Sequence, residues 1–138
     1  STDGREYVIT DPRPPRPWSN VISNPRLGLA VSQSGSGFTW IDNSQLAVVN
    51  WWQQDFAQDT AGKFLYVRDR ESGQAWSLSP APMWPRYDRF ECRHGIGYTT
   101  FQATRDGIES FCWLVEQKQL RPGHQSASDQ HPAALAGR

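Results

Sequence analysis

The sequence predicts an all-β protein, an antiparallel β-sandwich, and three observations carry that expectation. Seven Trp, six Phe and four Tyr stand beside eleven Gly and ten Pro in 138 residues, a strand-and-turn alphabet. Flat aromatic side chains suit a pleated, half-buried surface, whereas Gly and Pro interrupt helices and punctuate turns. From Val21 onward, nine short apolar runs of about strand length alternate with turn residues. One turn, Asp106-Gly107, has the composition of a tight primed hairpin, because Gly accepts positive φ and Asp tolerates the left-handed region.

Taken in order, the chain begins with an extended piece, Tyr7-Val8-Ile9-Thr10, that runs into Asp11-Pro-Arg-Pro-Pro-Arg-Pro17-Trp18. Four prolines in the six positions 12–17 forbid a helix, so residues 1–20 are expected as an extended strap. The β-sandwich proper is expected over residues 21–116. Its candidate strands are 21–22, 27–32, 37–41, 46–52, 63–68, 75–78, 90–94, 97–103 and 108–115. Asn24-Pro25, Ser34-Gly-Ser-Gly37, Asp59 to Gly62, Glu71-Ser-Gly73 and Arg105-Asp-Gly107 separate them. Residues 63–68 and 75–78 are expected to pair as a hairpin with a longer, charged loop. Residues 117–138 are polar with no period of either kind, which predicts a flexible, disordered C-terminal tail.

Charge and apolar patterning narrow the function classes. Fourteen Lys+Arg balance fourteen Asp+Glu, and the basic residues are scattered, so a nucleic-acid partner is not expected. Mean hydropathy is −0.68, and no apolar run approaches the ~20 residues of a membrane helix, so no membrane partner is expected either. The opening Ser-Thr-Asp-Gly-Arg-Glu offers neither a basic stretch nor an apolar segment. A cytoplasmic location without a secretory signal is therefore the expectation. Cys92 and Cys112 lack metal-site spacing; they read as small buried thiols, with a single bridge between neighbouring strands as the alternative. No metal or other cofactor is expected.

Residues able to carry chemistry are few. No nucleophile elbow, phosphate loop or paired-His helix motif occurs. His94 lies in strand-like sequence while His124 and His131 fall in the tail, so His94 reads as a structural side chain hydrogen-bonded near a turn. The carboxylates sit at turns and strand edges, and none stands out as an acid/base pair. The densest signal is Ser34-Gly-Ser-Gly37-Phe38-Thr39-Trp40, where alternating glycines let the backbone approach a ligand or a neighbouring strand closely.

These segments together resemble a known family. Asp3-Gly-Arg-Glu-Tyr-Val-Ile9, Trp18-x-Asn20-Val-Ile-x-Asn24-Pro25-x-x-Gly28, Val31-Ser-x-Ser-Gly-Ser-Gly-Phe-Thr-Trp40 and Asn43-Ser44 are similar to the amino-terminal β-domain of glycoside hydrolase family 94, formerly glycosyltransferase family 36. That family comprises cellobiose, chitobiose and 1,2-β-oligoglucan phosphorylases and the phosphorylase-like region of cyclic β-1,2-glucan synthases. The likeness continues through Trp52-x-x-Asp55, Leu65-Tyr66-x-Arg68-Asp69, Gly73-x-x-Trp76-Ser77, Arg93-His94-Gly95-x-Gly97-Tyr98-x-x-Phe101 and Gly107-Ile108-Glu109. It implies a galactose-mutarotase-like super-sandwich, present in part, and a much longer chain whose helical barrel supplies the catalytic acid. One departure weakens inherited ligand contacts. Where the family pattern after Asn-Ser reads Arg-x-x-Arg-Leu-Thr-Pro-Trp, this chain has Gln45-Leu-Ala-Val48-Val-Asn-Trp51-Trp52, without the two guanidinium groups.

The resulting expectation is a non-catalytic domain or fragment that docks to a helical-barrel catalytic domain, or to another copy of itself, and helps shape a site for β-linked glucan or oligosaccharide. The alternative is a stand-alone carbohydrate-binding module, which requires at least two of Trp40, Trp51, Trp52, Trp76 and Trp84 to form an exposed stacking platform. Ser36, Gly37, Trp40, Asn43 and Trp52 are the candidate sugar-contacting residues, since this stretch combines close backbone approach, indole faces and a side-chain amide that both donates and accepts.

Overall fold

The computed structural model describes residues 1–50 and 61–115, and among them every regular element is a β-strand. In chain order these are β1 (Glu6–Ile9), β2 (Ser19–Ser23), β3 (Leu27–Ser32), β4 (Gly37–Ile41), β5 (Tyr66–Arg68), β6 (Ala75–Ser77), β7 (Arg89–Gly95), β8 (Tyr98–Arg105) and β9 (Ile108–Val115). They form a four-stranded sheet in the order β1-β7-β8-β9, a three-stranded sheet β2-β3-β4 and a two-stranded ribbon β5-β6. All pairings are antiparallel.

Strand alternation explains how the sheets close on each other. Ile9, Cys92, Phe101 and Cys112 are successive register partners across β1, β7, β8 and β9, so one face of the large sheet carries a continuous apolar row. Phe90 and Ala103 extend it, and Val31 and Leu29 of β3 pack against it from the smaller sheet. The same row separates the two cysteines. Phe101 lies between them, so Cys92 and Cys112 are two strand spacings apart, roughly 10 Å, beyond the ~7 Å Cα limit of a disulfide. Both are free thiols. Burial pushes the Cys92 thiol up to about 12, leaving it an inert small apolar group.

The turns follow their chemistry. Arg105 and Ile108 are the last paired residues of β8 and β9, and both residues between them have positive φ, 50° at Asp106 and 78° at Gly107, the signature of the primed two-residue hairpin. The β5-β6 hairpin is shorter than the apolar runs suggest, and Asp69 organises its loop. The Asp69 carboxylate accepts the backbone N–H groups of Glu71 at 3.1 Å and Ser72 at 3.0 Å, and these bonds with the Ser72 hydroxyl hold its pKa low.

One expected strand does not form. The run from Leu46 is not a strand over its described residues: 44–46 form a turn, Leu46 is exposed, and Val48 makes only an isolated bridge to Trp40. The side-chain oxygen of Asn43 accepts from the backbone N–H of Gln45 at 2.8 Å and of Leu46 at 2.9 Å, and this local turn outcompetes extension of the apolar run. Trp51, Trp52 and the expected tail at 117–138 lie outside the described residues.

Candidate functional site

The β3-β4 connection, Ser32 to Gly37, is built on absent side chains and short hydroxyls. The backbone N–H of Gly37 donates to the Ala61 carbonyl at 2.7 Å, and Ser36 bridges to Gly62. Gly37 has φ 142°, and a Cβ there would run into the Ala30 carbonyl, so the close approach tolerates only glycine. The Ser32 and Ser34 hydroxyls bond each other at 2.8 Å, and Ser34 also accepts from the Ser36 N–H.

Of the candidate sugar contacts, Ser36 lies on this loop, Gly37 and Trp40 on β4 and Asn43 just beyond its end. Ser36 is 1% exposed, so the fold removes its hydroxyl from the reach of a ligand. Gly37 lines a small cavity of about 100 Å³ together with Leu29, Val31, Phe38 and Lys63. Trp40 is half-buried; its indole fills the space a side chain at Gly28 would take and packs on Phe38, with ring centroids 5.1 Å apart. Asn43 spends its oxygen on the turn described above, and Trp52 is outside the described residues. Asn50, in the segment where the guanidinium groups are missing, straps β4 instead: it accepts from the Thr39 N–H at 2.8 Å and donates to the Gly37 carbonyl at 3.1 Å.

Of the other tryptophans named for a stacking platform, Trp51 lies outside the described residues, Trp76 is buried and Trp84 is half-buried. The Arg105 guanidinium lies 5.7 Å above the Trp76 ring, and Arg13 lies 4.5 Å from the Trp84 ring centroid. Among the described residues, the exposed indole is that of Trp18, which opens the Trp18-x-Asn20 segment. Trp18 stacks with Tyr7, ring centroids 6.4 Å apart and planes 28° from parallel, and both rings are exposed. They border a groove of about 550 Å³ whose floor includes Asn20, His94 and Gly95.

Below that groove runs a chain of hydrogen bonds. The Trp18 carbonyl can only accept, so His94 Nε2, 3.0 Å away, carries the proton. His94 Nδ1 therefore accepts from the Thr99 hydroxyl at 3.0 Å, and Thr99 in turn accepts from Asn20 Nδ2 at 3.1 Å. Asn20 also donates to the carbonyls of Gly95 and Tyr98, both at 2.9 Å. This network suits only neutral imidazole, and burial, the dominant influence, lowers the His94 pKa. His94 is thus the structural side chain that its sequence context suggests.

On the opposite face of the large sheet, Arg93 joins two carboxylates. It pairs with Glu6 at 2.9 Å and with Glu91, and the Tyr98 hydroxyl donates to Glu6. The Tyr98 and Arg93 bonds hold the Glu6 carboxyl below its ordinary range. Both acids are partners of one guanidinium, and the pair shows no sign of the split environments of an acid/base couple. Among the described residues, no group of three His, Cys, Asp or Glu side chains could hold a metal ion, and no helix is long and apolar enough to cross a membrane.

The family model described as glycosyl hydrolase 94, supersandwich domain, matches residues 5–117. The chain belongs to that family. Its relatives are large enzymes: the N,N'-diacetylchitobiose phosphorylase of Vibrio furnissii is 34% identical over 108 residues, which cover 77% of this chain and 14% of the relative. The cyclic beta-(1,2)-glucan synthase NdvB of Rhizobium meliloti (strain 1021) is 37% identical over 110 residues, 78% of this chain and 4% of the synthase. The solabiose phosphorylase of Paenibacillus borealis is 32% identical over 108 residues, again 77% of this chain and 14% of the relative. The GH94 supersandwich chain thus spans about one-seventh or less of the length of these curated relatives.

Proposed function

We propose that this GH94 supersandwich domain is a non-catalytic part of a β-glucoside phosphorylase or cyclic glucan synthase-like protein, docking to a helical-barrel catalytic domain and helping to shape its sugar site. The observation that carries the reading is the extent of the match: residues 5–117 fit one non-repeated domain, while the same stretch makes up 14% of the phosphorylases that contain it. The acid-rich cluster at Glu6, Arg93 and Glu91 supports it, since a carboxylate neutralised by a guanidinium and held ionised is a poor general acid for cleaving a glycosidic bond. In this arrangement the Gly37 to Asn43 stretch acts through shape: the serine-glycine turn, the Trp40 packing and the Asn43 turn fix a rigid edge that a catalytic partner can read.

A graft tests the reading. The matching 108 residues of the Vibrio furnissii chitobiose phosphorylase are replaced by this chain's, and phosphorolysis is followed as sugar 1-phosphate release. The chain alone is expected to release none and the chimera to retain turnover. Sugar phosphate formation by the chain alone, abolished on replacing one of its own acids, would overturn the proposal.

A further inference from the structure

We propose that the Tyr7–Trp18 groove is a carbohydrate-binding site, a second point of contact for β-linked gluco-oligosaccharides that does not use the serine-glycine loop. This inference rests on the domain's assignment to a β-glucoside-acting protein for its ligand class, and on the geometry of the groove for its place.

Trp18 is 54% exposed and Tyr7 71% exposed, yet the backbone that presents the indole is held from two sides. The Trp18 N–H donates to Gln33 Oε1 at 2.8 Å, the Gln33 N–H donates back to the Trp18 carbonyl at 3.1 Å, and His94 Nε2 donates to the same carbonyl. Tyr7 is equally placed, since its register partner on β7 is His94 itself. Tyr7, Trp18, Val21 and Ile96 are all exposed and line one groove, and a contiguous apolar patch, unlike a lone exposed side chain, marks a binding surface. The ligand class follows from the shape and the polar groups. Two near-parallel rings offer flat faces for the C–H faces of pyranoses. Arg5, Ser19 and Asn20 line the same groove beside the apolar Val21 and Ile96; Arg5 also pairs with Asp3 at 3.8 Å, and the amide nitrogen of Asn20 is spent on the network beneath. A purely apolar partner would strand these groups, whereas a polyol pairs with donors and acceptors together. The groove's ~550 Å³ is the size of an ordinary small-ligand site. Gly97, at φ 82°, turns the β7-β8 connection beside the groove and keeps its wall low.

The experiment is calorimetric titration of the whole chain with cellotetraose, laminaritetraose and sophorotetraose, with maltotetraose as the α-linked comparison. Binding of at least one β-linked probe is expected, weakened about tenfold or more in Trp18→Ala and in Tyr7→Ala. Circular dichroism and a urea midpoint report whether each variant is folded. Should Trp18→Ala fail to fold, Tyr7→Ala decides the matter, because its ring is the more exposed. No binding by the unaltered chain, equal binding by the folded variants, or maltotetraose binding as tight as the β-linked probes would each overturn the proposal. These outcomes are independent of the graft experiment: a chimera that turns over while the groove binds nothing keeps the domain assignment and removes this site alone.

Discussion

The large sheet and the serine-glycine turn are built on opposite principles. Between β7, β8 and β9, stability comes from side-chain volume: Phe90, Cys92, Phe101 and Ala103 form a closed apolar cluster with Val31. At the β3-β4 turn the contacts come from missing volume, with Gly37 and Gly62 letting main chains meet, Gly35 making room for the Ser79 side chain and the buried serines filling the remainder with hydroxyls. The sheet should therefore suffer from losing atoms, the turn from gaining them. That contrast also tells where a ligand could intrude: the turn leaves a cavity of only about 100 Å³, whereas the Tyr7–Trp18 groove has about 550 Å³ and polar side chains at its edge.

The largest effect should come from Phe101→Ala, which removes a 2%-exposed ring from the centre of the cluster and is expected to cost about 3–5 kcal/mol in urea unfolding. A loss below about 1 kcal/mol would mean that the sheet does not depend on volume at this position. Gly37→Ala makes the opposite change and should cost about 1–3 kcal/mol, because the added methyl meets the Ala30 carbonyl in a backbone region L-residues avoid. Equal stability of this variant would break the contrast at its other end. A smaller loss, about 1 kcal/mol, is expected for Asn43→Ala, which frees the N–H groups of Gln45 and Leu46 at an exposed turn. Asn43→Asp keeps the accepting oxygen and should restore most of it.

The smallest effect is a pH dependence lying between the two regions. Folding lowers the His94 pKa, so the unfolded chain binds more protons and stability falls as pH drops through the ordinary histidine value of ~6.5 toward the lower folded value. Its hydrogen-bond partners Thr99, the Trp18 carbonyl and Cys92 are uncharged, and none compensates a protonated ring. Urea midpoints at pH 7.5 and 5.5 measure the loss. His94→Gln should flatten the curve in that window, and an unchanged slope would show that another group carries it.

Local chemistry in the sequence determined the all-β class, most strand positions and the Asp106-Gly107 hairpin, because period-two alternation and positive-φ turns are properties of neighbouring residues. The ordered motifs determined the family for the same reason: each is a short constellation that survives being read in one dimension. Register between distant strands was decided only in three dimensions. Ile9 meets Cys92, and Tyr7 meets His94, across more than eighty residues of chain, so no local pattern could place the N-terminal strand at the edge of the large sheet. The fate of individual aromatics was decided there as well. Trp40 and Trp18 are indistinguishable by composition; one fills the gap left at Gly28, and the other is tied by its backbone to Gln33 and His94 with its ring in water. Burial depends on which strand arrives opposite, and that is a property of the assembled sheets.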